Sequence, residues 1–194
     1  MNNLIASAHA RFDLINSEDP NTVEVNGVAR PRELLFAERL EAWVRKVDPT
    51  ASDALLLASR CQHIKRWAFP RAEYPQGRVG YLKWRKDLTH KHAEIAATVM
   101  SELGITADTI AQVRAINLKE GLKTNPDSQA MEDALCLSFL EHEFAEFSAK
   151  YDDDKVIDIV QKTWRKMSPR GHELALTLPL QGRAKDLVGR ALGG

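Results

Sequence analysis

The chain has 194 residues, with 27 basic and 27 acidic side chains, so its formal charge is zero with histidine neutral. Apolar residues make up 44% and charged residues 28%, which supports one well-filled core and argues against a disordered chain. The balanced charge gives no global attraction to nucleic acid or to a membrane, and no apolar run approaches the length of a bilayer span.

In chain order, Asn2 to Ser17 reads as an amphipathic helix, with Ile5, Ala8, Phe12 and Ile15 at helical spacing. Glu18 to Arg30 is a polar loop. Within it, Val23 to Val28 suits a small hairpin, because Asn26-Gly27 favours a tight primed turn. Pro31 fits the first turn of a second helix, which runs to Val47 and is closed by Asp48-Pro49. The third helix, Thr50 to Trp67, is apolar all round at Ala54 to Ala58 and is the central one. Ala68 to Gly77 holds two prolines and is a loop. A long fourth helix, Arg78 to Leu103, ends at Gly104. A fifth starts at Thr106 or Asp108 and reaches about Leu122. Thr124-Asn125-Pro126-Asp127 is a turn and cap. A sixth runs from Ser128 to Lys150 and a seventh from Asp152 to Met167, before Ser168-Pro169-Arg170-Gly171 breaks it. Short helical pieces close the chain. The expected architecture is therefore one all-α domain over residues 1–194, a bundle of about seven helices. Cys61 and Cys136 lie in apolar helical runs and read as buried, reduced thiols. With no signal peptide evident, the expected compartment is the cytoplasm.

Charge is zoned along the chain. Basic residues crowd the stretch from Arg60 to Lys91, where only Glu73 and Asp87 oppose them, and acidic residues crowd Asp127 to Asp158. Both zones fit solvated helix faces, and the basic one also fits an anion-binding loop. Arg66-Trp67, Arg71, Tyr74, Arg78, Tyr81, Trp84 and Arg85 interleave cations with rings. Arginine clamps phosphate through two parallel hydrogen bonds, and rings either stack on bases or anchor a loop. We read the rings as anchors and some arginines as anion binders, with Arg60 and Arg78 the best placed.

Several ionisable residues fall on inward-facing stripes. His92 aligns with Ile95, Ala96, Val99 and Leu103, and Asp133 with Leu137, Leu140, Phe144 and Phe147. His63 sits at the end of the apolar third helix, His9 borders the Ile5 stripe, and His90 lies on a more polar face. Burying an ionisable group is costly unless it is paired or coordinated. Histidines and a carboxylate from separate helices are therefore candidates to converge on a metal, and equally candidates for hydrogen-bonded core residues.

Three segments carry a resemblance. Ala58-Ser59-Arg60-Cys61-Gln62-His63-Ile64-Lys65-Arg66 resembles the motif helix of the HD phosphohydrolase superfamily. The helix opened by His92 and closed at Gly104 resembles a later element of that superfamily. Glu132-Asp133-Ala134-Leu135-Cys136 resembles its last metal-binding helix. Gln62-His63 stands in place of the usual His-Asp pair, and Glu38 is the nearest ionisable candidate for the missing first histidine. The whole chain also resembles a family of bacterial and fungal proteins known only as a domain of unknown function. That family shares the Gln62 to Trp67, Gly80 to Arg85, Glu132-Asp133 and Thr163 to Ser168 segments. Some of its members carry a glutamyl-tRNA synthetase label, which no nucleotide-binding motif here supports.

The HD resemblance implies an HD-like bundle that hydrolyses a phosphate ester or nucleotide with one divalent metal ion. Glu38, His63, His92 and Asp133 would hold the metal, and Asp133 or Glu132 would serve in catalysis. Arg60, Arg66, Arg71, Arg78 and Arg85 would bind phosphate. The main alternative is a non-catalytic HD-like module that binds a nucleotide or RNA, and a third reading is a purely structural interaction protein. The expected partner is a phosphate-bearing small molecule, with nucleic acid not favoured and no membrane involved.

Overall fold

The computed structural model describes residues 3–193; the expected helix start at Asn2 lies outside them. Among the described residues there are ten α-helices and one hairpin. They are α1 (Asn3–Ser17), β1 (Thr22–Val25), β2 (Val28–Pro31), α2 (Arg32–Val47), α3 (Asp53–Cys61), α4 (Gly77–Glu102), α5 (Ala107–Asn117), α6 (Pro126–His142), α7 (Phe144–Lys150), α8 (Asp153–Trp164), α9 (Pro169–Leu176) and α10 (Gly182–Leu192). The fold is mostly helical, as the periodicity requires. The helix count exceeds seven because the long sixth helix breaks at Glu143 into α6 and α7, and because the closing pieces form α9 and α10.

Local chemistry sets most helix starts. Ser52, Thr106, Asn125, Asp152 and Ser168 each accept a hydrogen bond from a backbone N–H in the first turn of their helix. Helix α2 begins after Pro31, which has no capping side chain. Its cap arrives from the preceding loop: Asp19 Oδ2 accepts the Glu33 N–H at 3.0 Å. Asp19 Oδ1 meanwhile accepts from the Asn21 N–H at 2.9 Å. The hairpin turns at Asn26-Gly27, both with positive φ, and pairs Val25 with Val28.

Helix α3 lies at the centre, packed against α1, α2 and α5, with Leu55, Leu57 and Ala58 fully enclosed. It ends at Cys61, six residues short of the expected Trp67. Partners from other helices stop it. The Lys65 N–H bonds Asn16 Oδ1 at 3.3 Å, His92 Nδ1 donates to the Ile64 carbonyl at 2.7 Å, and Lys65 takes a left-handed conformation at φ +54. Cys61 and Cys136 are buried free thiols, and burial pushes the Cys61 thiol up to about 12. No helix among the described residues is long and apolar enough to cross a membrane.

Candidate functional site

A cleft of about 530 Å³ opens between α2, the segment after α3, and the α6–α7 break. Helix α2 lines it with Arg32, Glu33, Phe36 and Arg39, spaced so that all four sit along one side. The segment after α3 adds His63 and Arg66. The break adds Phe139, His142 and Glu143, followed by Phe147 and Tyr151.

Glu33 is the centre of this cleft. It is only 6% exposed, because its position continues the buried stripe of Ala37, Leu40 and Val44. His63 Nδ1 lies 3.4 Å from Glu33 Oε2, and Arg66 Nε lies 3.9 Å from Oε1. Burial pushes the Glu33 carboxyl up to about 7, against the pull of Arg66 and Arg32. Burial, with Arg66, Arg85 and Lys119, holds the His63 imidazole well below its ordinary value. Burial therefore favours the neutral pair, a carboxylic acid beside an uncharged imidazole, over the ion pair. Phe36 stacks on the His63 ring at 4.1 Å and fixes its plane. Glu143 lines the rim of the same cleft, where partial desolvation and Glu33 raise its carboxyl.

Arg32 and Arg39 stand two turns apart on α2, and neither guanidinium has a hydrogen-bond or ion-pair partner among the described residues. The rings of Phe139 and Phe147 are 5.6 Å apart and those of Phe147 and Tyr151 4.8 Å apart, forming an aromatic wall. The cleft thus joins free cations, an acid–base pair and an apolar face.

The structure brings some of the expected residues together and separates others. His63 and His92 are neighbours, with ring centroids 5.9 Å apart. His92 is buried as its register implied. Since Ile64 O can only accept, the His92 proton is on Nδ1. Burial and His63 lower the imidazole to about 3. Its Nε2 has no hydrogen-bond partner among the described residues. Arg66 reaches the cleft. Glu38 does not; it pairs with Arg30 of the hairpin at 2.8 Å. Asp133 is buried, but it accepts hydrogen bonds from the Ser168 N–H at 2.8 Å, the Ser168 hydroxyl and Gln129. Glu132 is occupied by Lys119 and, at 3.7 Å, by Lys166. Arg60 grips Asp13 through two bonds of 2.8 and 2.7 Å and Glu41 through one of 3.0 Å, joining α1, α2 and α3. Arg71 donates to the Tyr74, Pro75 and Gly77 carbonyls. Arg78 and Arg85 are exposed on α4, outside the cleft, with Arg85 donating to Tyr81.

Glu38, His63, His92 and Asp133 therefore do not meet. Among the described residues no three His, Cys, Asp or Glu side chains are grouped as a metal ion would need. These four side chains are not arranged as the ligands of one divalent ion. Glu33, Arg32, Arg39, His142 and Glu143 are the cleft residues that sequence reasoning passed over. Glu33 had the same signal as His92, an ionisable group in register with an apolar stripe.

Over residues 6–188 the chain matches the family described as Domain of unknown function (DUF4202). It belongs to that family. No curated protein and no solved structure shows a significant match. The match spans every residue of the cleft, from Val23 to Tyr151, so the cleft lies within the part that the family shares.

Proposed function

We propose that this chain is a hydrolase of a phosphate ester, with nucleotides among the candidate substrates, acting in the Glu33–His63 cleft. One observation carries the reading: a buried carboxyl lies 3.4 Å from an imidazole inside a cleft that also holds two unpaired arginines. Arg32, Arg39 and Arg66 would hold and neutralise the phosphoryl oxygens. Neutral His63 would take the proton of the attacking water. Glu33, poised near neutrality, would return a proton to the leaving oxygen. Phe139, Phe147 and Tyr151 would take the organic part of the ester.

The HD-like resemblance lends support through His63 and His92, which are side by side in the order it requires. Its final aspartate finds no counterpart in the cleft, since Asp133 serves the start of α9. A non-catalytic module that binds a nucleotide or RNA would use the same arginines and leave Glu33 and His63 idle.

The test is release of inorganic phosphate from a panel of nucleoside phosphates and simple phosphate monoesters. The reading expects turnover that His63→Ala and Glu33→Gln each abolish while the variants still melt cooperatively. Stabilisation by these compounds without turnover would favour the binding module. Neither turnover nor stabilisation would end both readings.

A further inference from the structure

From Lys65 to Asp87 only Gly80 is buried. This stretch comprises the two short 3-10 turns at Arg66–Ala68 and Arg71–Glu73 and the first three turns of α4. It contributes almost nothing to the core, yet it is firmly braced. Arg71 ties three carbonyls of the loop, and Trp84 Nε1 donates to the Phe69 carbonyl at 2.9 Å. The Arg66 guanidinium lies 5.1 Å from the Trp84 ring centroid, and Lys91 Nζ lies 4.2 Å from that of Phe69. Gly80 lets the helix approach its own loop: a Cβ there would meet the Pro75 oxygen at 1.8 Å. The result is a braced, largely exposed spur whose base reaches the cleft through Arg66.

The outer arc of the spur has a particular composition. Val79 is 84% exposed and Leu82 54% exposed, one turn apart. Arg78, Lys83 and Lys86 surround them, all exposed and without an ion-pair partner among the described residues. From Lys65 to Asp87 there are seven cations (Lys65, Arg66, Arg71, Arg78, Lys83, Arg85 and Lys86) and two carboxylates, Glu73 and Asp87. Aliphatic tips ringed by cations complement a surface that is anionic outside and apolar just beneath.

We infer that the spur docks on an anionic phospholipid surface, with Val79 and Leu82 entering the headgroup–acyl boundary and Arg78, Lys83 and Lys86 pairing with lipid phosphates. The observations favour lipid over nucleic acid. The Trp84 indole is committed to Phe69 and Arg66, and the Tyr81 ring leans on Trp84 with its hydroxyl bonded by Arg85. A nucleic-acid backbone gives Val79 and Leu82 nothing apolar to cover them. This inference is independent of the chemistry of the cleft.

The test is co-flotation of the full chain with vesicles of equal parts phosphatidylglycerol and phosphatidylcholine, against vesicles of phosphatidylcholine alone. The chain floats with the anionic vesicles only. Raising the salt to about 1 M, where the screening length falls to about 3 Å, releases it. The double variant V79S/L82S loses flotation, and K83E/K86E lowers partitioning by more than about tenfold. All four side chains are exposed, so both variants keep the parent melting temperature, which is measured alongside. Absence of flotation with anionic vesicles overturns the inference. So does flotation that V79S/L82S leaves intact, or binding to single-stranded RNA that survives V79S/L82S in a chain that ignores vesicles.

Discussion

The carboxylate of Asp133, in the middle of α6, closes the N-terminus of α9 by accepting both the backbone N–H and the hydroxyl of Ser168. The same Ser168 hydroxyl oxygen accepts the Gly171 N–H at 3.1 Å, so one buried carboxylate fixes a cap and the helix that follows. Gly171 is there because nothing larger fits. A Cβ would come within 2.8 Å of Asp133 Oδ1.

Gly171→Ala should therefore displace the Asp133 carboxylate and loosen α9. The expected loss is about 1–3 kcal/mol, the cost of buried polar groups left without partners. Asp133→Ala should cost a similar amount for the same reason. Denaturant titration measures both. A stable Asp133→Ala variant that loses an enzymatic activity would instead return Asp133 to the catalytic role its sequence context suggested.

Arg60 offers a second contrast between a structural and a ligand-binding role. Its guanidinium is shared by Asp13 and Glu41 at the junction of three helices, leaving no donor fork for phosphate. Arg60→Ala should destabilise the chain by about 3 kcal/mol, because Asp13 loses its cation and Glu41 is left with Arg45 as its only arginine partner. The rise in melting temperature that a phosphate-bearing ligand produces should survive in this variant. Loss of that rise with stability intact would place Arg60 in a binding site.

Several elements were legible from local chemistry. Asn26-Gly27 dictated the hairpin turn and Asp152 the start of a helix, while Ser168-Pro169, expected only to break that helix, also caps the next one. Register along α4 and α6 also identified His92 and Asp133 as buried. What register could not supply was the partner, because partners come from distant segments. Ser168 is thirty-five residues from Asp133, and Ile64 is twenty-eight from His92. The early end of α3 has the same origin, since Asn16 and His92 claim backbone groups that helical continuation would have used. The cationic zone from Arg60 to Lys91 was legible despite the zero net charge, but not which of its cations are tied to carboxylates or carbonyls, as Arg60 and Arg71 are.

The unpaired arginines of α2 make a third prediction. A phosphate-bearing ligand at about 100 times its dissociation constant should stabilise the chain by about 2.7 kcal/mol through mass action. Arg39→Ala should remove most of that gain. The ligand-free melt should stay within about 0.5 kcal/mol of the parent, as befits a side chain with no bonded partner. Thermal melts with and without ligand decide it, and an unchanged ligand response would take Arg39 out of the site.

The last prediction follows from Glu33. Its carboxyl has an ordinary value of 4.5 and is pushed up to about 7 by burial in the fold. The folded state therefore holds the proton more tightly than the unfolded state. Below about pH 4.5 both states are protonated and Glu33 costs the fold nothing. As the pH rises toward 7, the unfolded state ionises first and stability is lost. Above about pH 7 both states are ionised and the loss is complete, at about 3 kcal/mol from about 1.4 kcal/mol for each pH unit. Glu33→Gln keeps the shape and removes the charge. The variant should match the parent near pH 5, be the more stable of the two at pH 8, and lose phosphate release at both. Denaturant midpoints of parent and variant across this range give the comparison. A parent whose advantage over the variant grows with pH would mean that Glu33 is held as a carboxylate by Arg66, and the proton-donor role assigned to it would fall.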